Sequence, residues 1–410
     1  MLSTQEKTVV NSLEESSWQK PPGRPPQVIR KARLAGSAMF LLHGAGVGTW
    51  AALLPTFKAT FALSDEKLGW AMLSMIIASL IGMPLTGRAL AKWGSPKVLL
   101  WGSILYSLSL FAVAFTPSFE LLIAASFAFG IFKGCMDVSV NAQAIPIENQ
   151  YDKPIMSMFQ ATWSVGGLLA ALFISSALHM HLSFNVITSI VSVILLGLAI
   201  ISYRYLLADP AQEKKQQSSG FQWPSPILLK IGFVTFLVLY TEGAIMNWSA
   251  VYARSVAQAS ADLAPGAFAA FSFMMAIGRF TGDAVIAKYG RLTVFKMGAS
   301  LIALGILLVS TVPVWPATFL GFGLAGLGLS NLYPILLGAA GRTEEGAGPG
   351  IATIATIGFL GYLAGPPLIG SLSHTLGLPI AISTITVFGI LAGVFGSGIL
   401  KPLLGKLNLR

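Results

Sequence analysis

A lysine and an aspartate four residues apart, Lys133 and Asp137, interrupt an otherwise apolar stretch, and Asn141 follows four residues later. Helical spacing puts all three on one face. A carboxylate flanked by an ammonium and an amide can hold helices together as a neutralised pair, or it can take up and release a proton. Burial and the Lys133 charge act in opposite senses on its proton affinity, so a movement that parts the pair would switch the site. A second carboxylate, Glu242, precedes Asn247 and Trp248, with Ser249 seven residues on and on its face. Carboxylate, amide and indole together suit a hydroxylated ligand: an acceptor, a two-way hydrogen-bonding group and a stacking plate. The plainer reading is a polar contact between helices.

Four further sets have types suited to a polar site. His43 lies seven residues before Trp50; imidazole titrates near neutrality, so it reads as a proton or ligand contact or as a hydrogen-bonded packing residue. Asn331 and Tyr333 stand beside Pro334 in a Gly-rich run. A proline removes a helix donor and opens the ladder, and freed carbonyls at membrane depth need protein or water partners, which marks a cavity wall. Asn331 is the amide best placed there to meet a solute. Gln160 and Trp163 are three apart and can face the same cavity, while Gln143 lies nearer a helix end. Tyr362, just before Gly365-Pro366-Pro367, is a gate or a packing residue.

The elements that position these residues are long apolar runs. The chain has 410 residues, 54% apolar and 10% charged, where soluble domains carry about 25% charge. Runs fall near 33–55, 68–91, 97–116, 119–142, 155–179, 183–206, 227–253, 265–287, 292–312, 315–340, 348–373 and 378–400. About 20 apolar residues cross a hydrocarbon core of about 30 Å. Twelve buried soluble helices would leave no polar surface for water, so the pattern predicts an all-α integral membrane protein with twelve transmembrane helices. A charge within such a span costs about 2.5–3.5 kcal/mol on insertion scales, so Asp137 and Glu242 need a reason to be there.

The second six runs echo the first six. Ala91-Lys92-Trp93-Gly94 recurs as Ala287-Lys288-Tyr289-Gly290 at an offset of 196 residues, and Trp50 and Trp248 are 198 apart. The one long polar break, 208–226, lies at the midpoint. Six spans per half leave both halves in the same orientation, as parallel repeats with a solute site at their interface. The expected organisation is a disordered cytoplasmic tail (1–32), a six-helix bundle (33–207), a cytoplasmic linker (208–226), a second six-helix bundle (227–402) and a short cytoplasmic tail (403–410).

Other classes find little support. The net charge of +10 is not a nucleic-acid patch. With the N-terminus placed in the cytoplasm, 21 Lys and Arg fall in cytoplasmic segments, three (Lys58, Lys67, Arg254) in outer loops and two (Lys133, Arg279) within spans. That asymmetry is the positive-inside rule with both termini inside. The single cysteine, Cys135, makes no internal disulfide or Cys metal cluster, and His43, His179, His181 and His374 lack ligand spacing. No metal and no cofactor are expected, and no phosphate-cradling motif for direct ATP hydrolysis occurs. An enzyme would need a His or carboxylate cluster near one membrane face, so no catalytic activity is expected. Residues 1–32 lack the apolar core of a signal peptide.

The chain resembles the Major Facilitator Superfamily over about 33–402. The signature joining its second and third spans is partly kept as Gly87, Ala91, Lys92, Gly94 and Lys97, without the usual Asp, and more fully in the second half as Arg279, Asp283, Gly290 and Arg291. More specific segments are GTWAALLP (48–55), GCMDVSVNAQA (134–144), FQATWSVGGLLAAL (159–172), EGAIMNWSAVY (242–252), GLGLSNLYPILLGAAGR (326–342) and GYLAGPPLIG (361–370). They are similar to the fucose-permease-like branch, which includes uncharacterised inner-membrane proteins and a rhizopine-associated membrane protein. The resemblance implies a bacterial inner-membrane secondary transporter for a small sugar, polyol or cyclitol-like solute, moved by alternating access with protons and working as a monomer. Export of drugs or amphipathic compounds is the alternative. The resemblance also implies a gate latch from Arg279 and Asp283, with Arg88 and Lys92 as first-half equivalents that either gate or only anchor to lipid phosphates.

Overall fold

A computed structural model describes residues 25–151, 155–207, 224–341, 343 and 347–405. Among the described residues, thirteen helices make the twelve expected spans: α1 (Pro26–Thr60), α2 (Asp65–Trp93), α3 (Ser95–Val113), α4 (Phe119–Glu148), α5 (Met156–His179), α6 (Phe184–Tyr203), α7 (Pro226–Ser255), α8 (Pro265–Tyr289), α9 (Arg291–Thr311), α10 (Trp315–Leu329), α11 (Leu332–Ala340), α12 (Ala347–Leu376) and α13 (Leu378–Gly405). The pair α10 and α11 forms the tenth span, so the fold is all-α with twelve membrane-length helices. Expected boundaries shift at both ends. Helix α1 begins at Pro26, inside the stretch expected to be a tail, because Pro at the first turn gives up a donor that no helix start uses. Helix α13 runs to Gly405. The rest of both tails (1–24, 406–410) and linker residues 208–223 lie outside the described residues.

Local chemistry sets the ends. Ser64, Ser118 and Ser225 accept hydrogen bonds from the N–H groups of Lys67, Leu121 and Leu228, which caps α2, α4 and α7. The repeated tetrad ends α2 and α8 in one way. Gly94 (φ 77°, ψ 159°) and Gly290 (φ 79°, ψ 154°) both occupy a left-handed region that favours glycine, and the next helix starts one residue later. Lys92 and Lys288 each fold over the ring of the following aromatic residue. The sequence echo is therefore a geometric echo.

The tenth span breaks at Ser330-Asn331. Pro334 has no N–H to give the carbonyl four residues back, that of Ser330, and its ring crowds that carbonyl. The Asn331 amide holds the break, donating to Gly278 O (2.9 Å) and Ser330 Oγ (2.9 Å).

Within each half, helices approach closely through small residues, as lipid-embedded packing requires. Gly130 and Gly134 of α4 lie against the carbonyls of Met75 and Ser79 in α2, and Gly166 of α5 lies against that of Leu41 in α1, with no room for a Cβ. Helices α1 and α7 are buried on nearly every side. They form the centre of the molecule, and α2, α5, α8 and α12 pack across the boundary between the halves.

Candidate functional site

Two charge clusters face each other at mid-depth. In the first half, Lys133 Nζ lies 2.7 Å from Asp137 Oδ2, His43 Nε2 lies 3.3 Å from Oδ1, and Ser79 Oγ donates to Oδ2 at 3.4 Å. Three helices, α1, α2 and α4, thus converge on one carboxylate. The close glycine contacts between α2 and α4 bring Ser79 within reach. Tyr106 fixes the His43 segment by donating its hydroxyl to the His43 carbonyl at 3.0 Å.

In the second half, Arg279 Nη2 of α8 lies 3.5 Å from Glu242 Oε1 of α7. The same guanidinium crosses into the first half, where Nη1 donates to Ser164 Oγ (2.7 Å) and to the Gln160 carbonyl (3.3 Å). This corrects the expected latch: Arg279 does not pair with Asp283, which is exposed. The four-residue spacing permits that pair, but a charge in hydrocarbon gains more from a buried partner than from one facing outward.

Aromatic rings join the clusters reciprocally. Lys133, from the first half, lies 5.7 Å from the ring centre of Tyr362 in the second. Arg279, from the second half, lies 5.9 Å from the ring of Trp163 in the first. Trp163 also meets His43 edge-on at 6.1 Å, so it stands between the clusters. Each cation–ring contact is of a kind worth about 0.5–2 kcal/mol. The formal charges of Lys133, Asp137, Glu242 and Arg279 sum to zero.

Other candidate residues are already engaged. Asn141 Nδ2 donates to the Asp137 carbonyl at 2.7 Å, beside the first cluster and partly exposed. Asn247 is buried and bonds back to the Gly243 carbonyl of its own helix at 2.8 Å. Trp248 is fully buried and its Nε1 donates to the Pro366 carbonyl at 3.1 Å, tying α7 to α12. Trp50 is buried among Phe57 and Phe129. The expectation that Asn247, Trp248 and Trp50 face a solute is corrected for this conformation: all three lie within packed layers. Asn331 is spent largely on the helix break. Gln143 joins helix ends, bonding Ser95 and both backbone groups of Leu207. Arg88 and Lys92 are exposed at the end of α2.

The structure adds residues that sequence reasoning missed. At the end bearing the 60–65 and 255–265 connections, here the far end, Asp65 joins three helices. It pairs with Lys58 (2.5 Å) and accepts from Ser373 Oγ (2.5 Å), and Lys58 also donates to Ser255 Oγ at 3.5 Å. Nearby, Asp262 pairs with His179 at 2.9 Å, while Ser175 donates to the Asp262 carbonyl. The Ser260 hydroxyl, and then His179, hold the Asp262 carboxyl down at about 2. Among the described residues, every hydrogen bond, ion pair and cation–ring contact between the halves lies at mid-depth or at this far end.

Twelve apolar helices in two pseudo-symmetric bundles, bridged at mid-depth by a polar layer, define a multi-pass membrane transporter. The chain belongs to the Major Facilitator Superfamily, whose profile matches residues 36–280. It is 33% identical to an uncharacterised transporter of this superfamily from Yersinia pestis over 356 residues, 85% of this chain and 90% of that protein. It is 28% identical to the membrane protein MosC of Rhizobium meliloti, covering 86% of each chain. Among solved structures it resembles a bacterial homologue of the human lysosomal transporter Spinster, inward-facing and unoccupied, with a TM-score of 0.70, 14% identity and coverage of 93% of this chain and 99% of that one.

Proposed function

We propose that this protein is a proton-coupled secondary transporter for a small, uncharged polar solute of the sugar, polyol or cyclitol kind, working by alternating access in a bacterial inner membrane with both termini cytoplasmic. The carrying observation is Arg279, which holds Glu242 in its own half and Ser164 and Gln160 in the other. A rocking motion of the halves changes the second set of bonds and leaves the first free to follow. When Arg279 turns away from Glu242, the carboxylate loses its counter-ion and takes a proton; when it returns, the proton leaves. Glu242 is then the coupling group.

Lys133 and Asp137 play a different part. They sit four residues apart on one helix, 2.7 Å from each other, so a rigid-body movement of the halves does not by itself part them; only a swing of the Lys133 side chain would. With His43 they form a fixed polar wall. Trp163 touches groups of both clusters and Tyr362 lies by Lys133; with Gln160, Asn141 and Tyr333 they would offer amides, hydroxyls and stacking rings to a hydroxylated solute. A layer whose charges cancel favours an uncharged cargo. In this orientation the far end, closed by the contacts of Asp65, Lys58 and Asp262, faces outward.

The test is transport by purified protein in liposomes. A thermal-shift screen of sugars, cyclitols, amines and drugs selects the solute, and labelled uptake is then measured with and without a proton gradient. The proposal requires gradient-driven accumulation of a hydroxylated solute, lost in Glu242→Gln while counterflow exchange persists. Stabilisation by amphipathic drugs alone, with dye efflux, would instead establish the export alternative.

A further inference from the structure

Outside the polar layer, a cavity of about 590 Å³ opens on the outer, lipid-side surface between α2, α3 and α4. Lys97, Trp93 and Trp101 lie at its end nearest the α2–α3 turn, Leu105 and Ile131 line its walls, and Cys135 lies in its floor. From Lys97 to Leu105 the helix rises about 12 Å, the depth of the upper part of an acyl chain. The groove is apolar along that depth and cationic only at the mouth. Trp93 and Trp101 are more than half exposed, as indoles at a membrane–water interface are.

Among the described residues no carboxylate lines the cavity. Among the described residues no carboxylate pairs with Arg88, Lys92 or Lys97. Helix α3 starts there without a side-chain cap, so the positive end of its dipole adds to the same field. We infer that this groove is a binding site for one membrane phospholipid with an anionic headgroup, its phosphate against Lys97 and one acyl chain passing Cys135 towards Leu105 and Ile131. The inference stands apart from the identity of the transported solute, because none of these residues belongs to the polar layer. It also gives the basic α2–α3 turn a defined ligand, where the sequence reading left gating and lipid anchoring open.

The protein carries its own reporter. Cys135 is the single cysteine; it is partly exposed and lines the groove, and Gly102 makes room for its sulfur, which a Cβ there would meet at 2.6 Å. Alkylation of the full-length protein by a membrane-permeant maleimide is measured in nanodiscs of phosphatidylcholine, alone or mixed with phosphatidylglycerol. The expected result is several-fold slower alkylation in the anionic mixture. Lys97→Gln should abolish that protection without changing the rate in pure phosphatidylcholine, and Lys97→Arg should keep it. Native mass spectrometry of the same proteins should show retained phosphatidylglycerol on the wild type and its loss in Lys97→Gln. Equal rates in the two lipid mixtures would overturn the inference, since the groove would then be filled by any chain without headgroup selection. Undiminished protection in Lys97→Gln would overturn it equally.

Discussion

The two mid-depth clusters use the same chemistry in opposite mechanical settings. Lys133 and Asp137 sit on one helix, the second contact to the carboxylate, from His43, comes from the same half, and the cluster meets the other half only through the undirected contact of Lys133 with the Tyr362 ring, among the described residues. Glu242 and Arg279 sit on different helices, and Arg279 also reaches across the boundary to α5. A pair on one rigid element keeps its geometry when the halves rock, whereas a pair whose cation is shared between halves does not. Similar composition therefore yields a fixed wall in one half and a state-sensitive link in the other. What identifies a coupling site is the set of bodies its partners belong to, more than the presence of a buried charge.

Breaking the link should have the largest effect. Arg279→Gln leaves Glu242 without its counter-ion in a low-dielectric layer, where loss of one partner costs about 3–5 kcal/mol. A large fall in melting temperature and abolished transport are expected. The double variant Arg279→Gln with Glu242→Gln should recover most of the stability but not the gradient-driven accumulation. A double-mutant cycle by thermal unfolding measures the coupling.

Ser164→Ala tests the cross-boundary half alone. It removes a charge-assisted hydrogen bond of a kind worth about 1.5–3 kcal/mol, present only when the halves meet as described. The conformational equilibrium should shift by about tenfold or more towards the far-end-open state, read as spin-label distances across the far end. An unchanged distance distribution would mean that Arg279 does not sense the boundary.

Tyr362→Leu removes the ring facing Lys133, a contact worth about 0.5–2 kcal/mol. Because the Lys133–Asp137 pair survives, the expected outcome is weaker solute affinity in a binding titration with an unchanged accumulation ratio.

The far-end contacts should matter least. Asp262→Asn alters a solvent-facing pair, of a class worth about 0–1 kcal/mol, and should barely move the melting temperature. The sign of its pH dependence follows from a depressed carboxyl. Its contribution is complete above the ordinary carboxylate value of about 3.9 and is lost only as pH falls through about 2. Wild type and Asp262→Asn should therefore converge only as pH falls through about 2, measured as melting temperature against pH.

What was legible in the sequence was mostly local or periodic. The apolar runs, the repeated tetrad ending in Gly94 and Gly290, and the helical spacing of Lys133 and Asp137 each follow from neighbours along the chain. The break in the tenth span was readable from Pro334 for the same reason. The Arg279–Glu242 pair was not, because the two residues lie on adjacent helices whose relative rotation leaves no mark in composition. The local four-residue spacing to Asp283 offered a false partner instead. Trp50 and Trp248 misled in another way. Helices α1 and α7 are buried nearly all round, so no lipid-facing stripe exists to show which side meets the chamber. The Asp65–Ser373 contact spans 308 residues and depends wholly on the packing of the two halves.

The most direct test compares Glu242→Gln with Asp137→Asn in liposomes, measuring proton-driven accumulation beside counterflow exchange of the same labelled solute. The account predicts that Glu242→Gln exchanges but does not accumulate, while Asp137→Asn accumulates to the normal ratio with weaker apparent affinity. Accumulation retained in Glu242→Gln and lost in Asp137→Asn would contradict it.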